Sequence, residues 1–92
     1  VIRILDFGAT WCAPCKTLRP TIERIAREYD ISIEEIDVDQ DSNTAEKYGI
    51  VSLPTVLFLT NGQAVTTLYG SKVNYASITR VLGELGLHRT RT

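Results

Sequence analysis

The sequence predicts a three-layer α/β sandwich: a four-stranded mixed sheet, built in the order β-α-β-α-β-β-α, with helices on both faces. Three observations predict it. An apolar, β-branched run at Val1–Phe7 is followed by a long helical stripe and a second strand-like run at Ile31–Val38. Strand, helix and strand in succession make a right-handed parallel unit the default. Two more apolar runs, Val56–Leu59 and Ala64–Tyr69, flank Asn61–Gly62, a dipeptide suited to a tight antiparallel hairpin.

Taken in order, Val1–Phe7 reads as a buried strand with Arg3 and Asp6 as its polar exceptions. From about Cys12 to Tyr29, the residues Cys15, Leu18, Ile22, Ile25, Ala26 and Tyr29 form one stripe at helical spacing. Pro14 suits the first helical turn, where its missing N–H is not needed. Pro20 falls inside the stripe and is expected to kink the helix rather than end it. Ser42 or Asn43 is expected to cap a short helix over Thr44–Tyr48, with Glu46 completing a capping box and Gly49 stopping it. Asn74 is expected to cap a last helix over Tyr75–Leu85, with Ile78, Val81, Leu82 and Leu85 on one face and Gly86 at its end.

The 92 residues suffice for one core, and no repeat or linker divides them. One domain over residues 1–87 is expected, followed by a basic tail at 88–92 carrying His88, Arg89 and Arg91 as a solvated, frayed end. No stretch reaches the roughly 18 apolar residues of a membrane helix. Val1–Asp6 has no signal-peptide pattern, although a mature secreted chain would have lost one. A net charge of −1 gives no electrostatic footprint for nucleic acid or an anionic membrane.

There are two cysteines, Cys12 and Cys15. A bridge between them closes almost no loop and adds little stability, so its purpose is expected to be chemical. Two thiols at this spacing can exchange electrons with a substrate disulfide, one attacking and the other resolving the mixed disulfide. A helix that begins at Cys12 favours a thiolate there through its dipole and unpaired N–H groups. Cys15, at the start of the apolar stripe, is expected to turn inward, with Trp11 as an aromatic flank and Ala13–Pro14 as a small, rigid, uncharged turn. Half of a zinc site has the same spacing, but zinc wants four ligands. His88 is the one histidine and no third cysteine exists, so no metal is expected within one chain.

The segment Asp6-Phe7-x-Ala9-x-Trp11-Cys12-x-Pro14-Cys15-Lys16 resembles the thioredoxin active-site segment. The resemblance continues through Pro20, Asp37/Asp39–Gln40, Lys47–Tyr48–Gly49–Ile50, Leu53–Pro54–Thr55, Asn61–Gly62 and Gly70. Thioredoxins usually carry a further strand and helix ahead of the strand placed here at Val1–Phe7; what this sequence contains resembles the minimal fold shared with glutaredoxins. The resemblance implies a thioredoxin fold and a protein-disulfide reductase with no cofactor beyond its redox-active disulfide. It implies that Pro54 is a cis-proline facing the cysteines, and that Leu53 and Thr55 offer backbone hydrogen bonds to an incoming peptide. Asp6 becomes the buried carboxylate that takes or relays the proton of Cys15. Trp11, Ile50 and Gly70 line a shallow apolar docking surface beside Ala13 and Pro14. The implied partners are protein disulfides and a flavin-dependent thioredoxin reductase, acting on a monomer. A reducing cytoplasm is the expected compartment for a chain with no other disulfide.

Four positions depart from the family pattern. Ala13 replaces the usual glycine, and Ser52 stands where a glycine is common. Gly8 stands where an aromatic residue is common and is expected to loosen packing near the site. Glu35 stands where a lysine often partners the buried aspartate, which would place two carboxylates below the cysteines, titrating as a coupled pair. A Glu35 side chain turned to solvent is the alternative. The uncharged Ala13–Pro14 pair points to a reductant rather than an oxidant. A glutathione-linked, glutaredoxin-like protein is favoured by the short chain and disfavoured by Trp11. A non-enzymatic binding subunit would need neither the cysteine pair nor its proline and aspartate.

Overall fold

The structure is a computed structural model that describes residues 1–90; Arg91, part of the expected basic tail, lies outside the described residues. Among these residues the chain runs β1 (Ile2–Gly8), α1 (Ala13–Tyr29), β2 (Glu34–Asp37), α2 (Ser42–Lys47), β3 (Thr55–Thr60), β4 (Gln63–Tyr69) and α3 (Tyr75–Glu84), with a 3-10 turn at Gly70–Lys72. The order matches the expected one. The four strands form one sheet in the order β2-β1-β3-β4. β1 and β2 are parallel, pairing Asp6 with Glu35 and Phe7 with Ile36. β3 is antiparallel to both β1 and β4.

Alternation along β1 sorts its side chains between two layers. Ile4 joins Val56 and Phe58 of β3 under Ile22 and Ile25 of α1 and Ile78, Val81 and Leu82 of α3. Leu5 and Phe7 join Leu57 and Leu59 on the opposite face, covered by Tyr48, Ile50 and Leu53 around α2. β3, with a neighbour on each edge and a layer on each face, is buried over Thr55–Leu59. This is the α/β sandwich with helices on both faces, and it places Asp6 on the α1 side, on the same strand face as Ile4.

α1 runs without a break through Pro20, as its continuous apolar stripe requires. Several expected boundaries shift. β2 is shorter than Ile31–Val38, because Ile31 and Ile33 pack against the α1/α3 core from irregular chain. The cap of α2 is neither Ser42 nor Asn43. Asp41 caps it: Oδ1 accepts the Thr44 N–H at 3.2 Å and Oδ2 accepts the Thr44 hydroxyl at 2.7 Å. A carboxylate three residues ahead satisfies two Thr44 donors at once, which moves the helix start upstream. Asn74 caps α3 as expected, its Oδ1 accepting the Ser77 N–H at 2.8 Å. Asn61 and Gly62 both take positive φ, 51° and 83°, in the two-residue hairpin turn. Beyond α3, Thr90 donates to the Glu28 carbonyl from its backbone N–H at 2.7 Å, while His88 and Arg89 stay exposed.

Candidate active site at the start of the first helix

Both cysteines sit in the first turn of α1. Cys12 is the N-cap residue, extended at φ −89° and ψ 100°, and its Sγ accepts the Cys15 N–H at 3.2 Å. The pair is joined as a disulfide with the Cα atoms 5.3 Å apart. Pro14 lies within the first turn, where no carbonyl waits for its missing proton. A sulfur held at a helix N-terminus faces unpaired N–H groups and the positive end of the dipole, which favour its thiolate once the bridge opens.

The relative exposure of the two sulfur residues is the reverse of that expected. Cys12 is 5% exposed, whereas Cys15 is only half-buried. Folding the Cys12 side chain back over the Cys15 N–H withdraws it from solvent. Gly8 lies beside Cys15: a Cβ there would stand 3.4 Å from both Cβ and Sγ of Cys15, so no side chain of residue 8 covers that flank.

Asp6 lies two residues before Gly8 on the same strand face, half-buried, and both border one cleft with Cys15. Burial first, and then the charge of Glu35, push its carboxyl up to about 6 against the opposing pull of Arg19. Glu35 is Asp6's partner in the parallel register, yet its side chain is exposed. The two carboxylates are therefore neighbours across the strands rather than a pair enclosed beneath the cysteines.

The remaining expected site residues divide into two groups. Ala13, Pro14, Leu53, Pro54 and Gly70 come together along a groove of about 670 Å³ between the start of α1 and the loop before β3. The Leu53–Pro54 peptide is cis, and the Pro54 carbonyl accepts the Gly70 N–H at 3.0 Å. Trp11 and Ile50 do not line that groove. Trp11 projects into solvent, 68% exposed, with its indole N–H on Asp39 Oδ2 at 2.8 Å. Ile50 packs against the α2-side cluster. Thr55 is buried, its hydroxyl donating to the Ser52 carbonyl at 2.6 Å, so any contact to a peptide must come from its backbone. The groove's far wall, Val73, Asn74 and Tyr75, was not read from sequence as part of the site, and neither was Arg19. Arg19 lies four residues after Cys15 and so on the same helix face, the one signal that could have flagged it.

Among the described residues no group of three or more His, Cys, Asp or Glu side chains could hold a metal ion, and no helix is long and apolar enough to cross a membrane. A strand, a helix capped by a disulfide cysteine and a cis-proline loop across a groove define a thiol–disulfide exchange protein.

Comparison with known proteins gives the family. The Thioredoxin family model matches residues 2–83. Thioredoxins of Staphylococcus epidermidis and Staphylococcus aureus are each 38% identical over 81 residues, covering 84% of this chain and 78% of theirs. Among solved structures, Fasciola hepatica thioredoxin superposes with a TM-score of 0.83 at 30% identity, covering 90% of this chain and 79% of that one. Oxidised thioredoxin from Plasmodium falciparum gives 0.80 at 34% identity, covering 91% and 80%. The chain belongs to the thioredoxin family. It is a protein-disulfide oxidoreductase that works through Cys12 and Cys15 and needs no cofactor besides them.

Proposed function

We propose that the protein acts as a dithiol reductant, with Cys12 attacking and Cys15 resolving. The observation that carries this assignment is the hydrogen bond from the Cys15 N–H to Cys12 Sγ, which singles out Cys12 as the sulfur whose negative charge the helix end stabilises. The Cys12 thiolate attacks one sulfur of a protein disulfide, and the other leaves as a thiolate. Cys15 then gives its proton to Asp6 and attacks Cys12 Sγ, releasing the second substrate thiol and closing the Cys12–Cys15 bridge. An Asp6 carboxyl held near 6 is mostly ionised at neutral pH and can accept that proton. Glu35 assists by holding Asp6's proton affinity up.

The groove beside Ala13, Pro14, Leu53, Pro54 and Gly70 receives the substrate peptide, Leu53 and Thr55 contribute backbone contacts, and Trp11 and Ile50 flank it. The unit is one domain over residues 1–87, working as a monomer in a cytoplasmic electron-transfer chain that maintains redox balance. A thioredoxin reductase supplies the electrons. The uncharged Ala13–Pro14 turn adds nothing that favours the reduced form, so the expected potential is about −270 mV, a value general to thioredoxins.

The equilibrium potential of the Cys12–Cys15 pair in a glutathione buffer tests this. A value well below about −230 mV supports a reductant, and one near about −180 mV or higher overturns it in favour of an oxidase, isomerase or glutathione-coupled role.

A further inference from the structure

The geometry points to a second entrance to the disulfide: a side cleft at Gly8 through which low-molecular-weight thiols attack Cys15 Sγ directly. The cleft has a volume of about 400 Å³, and Asp6, Gly8, Thr10, Cys15, Arg19 and Glu35 are among its walls. It lies on the opposite flank from the peptide groove, which Cys15 does not line. The inference rests on the proposed roles of the two cysteines and adds a substrate class to them.

Access and leaving-group chemistry agree. Cys12 is 5% exposed and offers little surface to a small nucleophile, while Cys15 borders the cleft. A Cβ at residue 8 would already touch Cys15 Sγ at 3.4 Å, so any larger side chain would occupy the approach that glycine leaves free. In thiol–disulfide exchange the thiol of lower proton affinity leaves faster. Attack at Cys15 expels Cys12, whose departing thiolate keeps the Cys15 N–H and the helix N-terminus. Attack at Cys12 would expel the less stabilised sulfur.

The steps balance. A small thiolate forms a bond to Cys15 Sγ as the Cys12–Cys15 bond breaks, and the electron pair leaves on Cys12. A second small thiolate attacks the sulfur that the first one brought. This releases a small-molecule disulfide and a Cys15 thiolate, which takes a proton from solvent. Two small thiols are oxidised and one protein disulfide is reduced.

The test compares wild-type protein with Gly8→Phe. Reduction of the oxidised form by 2-mercaptoethanol is followed through Trp11 fluorescence, and insulin reduction by the reduced form is measured alongside. The ratio of the first rate to the second is expected to fall by at least about fivefold in the variant; a smaller fall overturns the inference. Should Gly8→Phe not fold, Cys12→Ala leaves Cys15 as the lone thiol for reaction with bis(2-hydroxyethyl) disulfide. A rate constant within about tenfold of that for the urea-unfolded variant at the same thiolate fraction supports an open entrance, and a slower one overturns it. Wild-type protein that fails to reduce insulin would instead overturn the proposed function, while the Cys15 rate would still report on the cleft.

Discussion

Asp6 of β1 and Glu35 of β2 stand opposite each other in a parallel register, one half-buried and the other exposed. The inner carboxyl is raised to about 6, first by burial and then by its neighbour's charge. The folded protein thus holds a proton on Asp6 over a pH range in which the unfolded chain, with a value near about 3.9, has released it.

That difference has a definite sign. From about pH 4 upward the folded state binds more protons, so its stability falls as pH rises through about 6, and the loss is complete about one unit above that. Asp6→Asn removes the penalty. Relative to wild type it is expected to gain up to about 3 kcal/mol between pH 4 and 7.5 while losing exchange activity. Urea denaturation of both proteins across this range checks it; parallel stability curves would show that Asp6 does not titrate as described.

Glu35→Gln removes one charge that raises the Asp6 proton affinity while burial continues to act. The acid limb of the pH–rate profile for protein-disulfide reduction is expected to move to lower pH. Because Glu35 is exposed, solvent screening keeps the shift to a few tenths of a pH unit. An unchanged limb would remove Glu35 from the mechanism, and Arg19→Ala should move the limb in the opposite direction.

The exposed ring of Trp11 is fixed by its bond to Asp39 at 2.8 Å. Asp39→Ala frees the indole without opening the core. Global stability is expected to change by less than about 0.5 kcal/mol, while KM for a protein disulfide rises and kcat holds if Trp11 flanks the docking surface. Trp11 is the only tryptophan, so its fluorescence anisotropy reports the released motion directly. Equal KM values would take the ring's orientation out of substrate docking.

Periodicity made the layers legible in the sequence, because burial on one face of α1 and α3 and on both faces of β3 demands apolar residues at fixed spacing. The hairpin was legible for a similar reason, since Asn61–Gly62 is among the few pairs that tolerate two positive φ values. Local competition was less so. Ser42, Asn43 and Asp41 are all capable N-caps, and only the three-dimensional placement of Thr44 decides for Asp41. The site showed the same division. Cys12, Cys15 and the loop at Pro54 follow from the motif, but the low exposure of Cys12 and the flank of Cys15 that Gly8 leaves uncovered emerge only in the packing. The apolar stripe suggested an inward Cys15; a stripe places a residue on a helix face without saying what stands opposite it.

Asn74 both caps α3 and lines the peptide groove, so its replacement tests how far the groove depends on that helix start. Its Oδ1 accepts the Ser77 N–H at 2.8 Å and its amide donates to the Ser71 carbonyl at 2.9 Å. Asn74→Ala loses both bonds and leaves a helix-end N–H without its cap, an expected cost of about 1 kcal/mol, or roughly 4–8 °C in Tm for a domain of this size. Asn74→Asp keeps the acceptor and adds a charge favoured by the helix dipole, but it cannot donate to Ser71. The expected order of Tm is therefore wild type and Asp above Ala. If the Ser71 bond also shapes the groove, both variants raise KM for protein disulfides to a similar extent, although only the alanine loses stability. A KM that rises with the alanine alone would place the effect in the cap, and so in the position of α3.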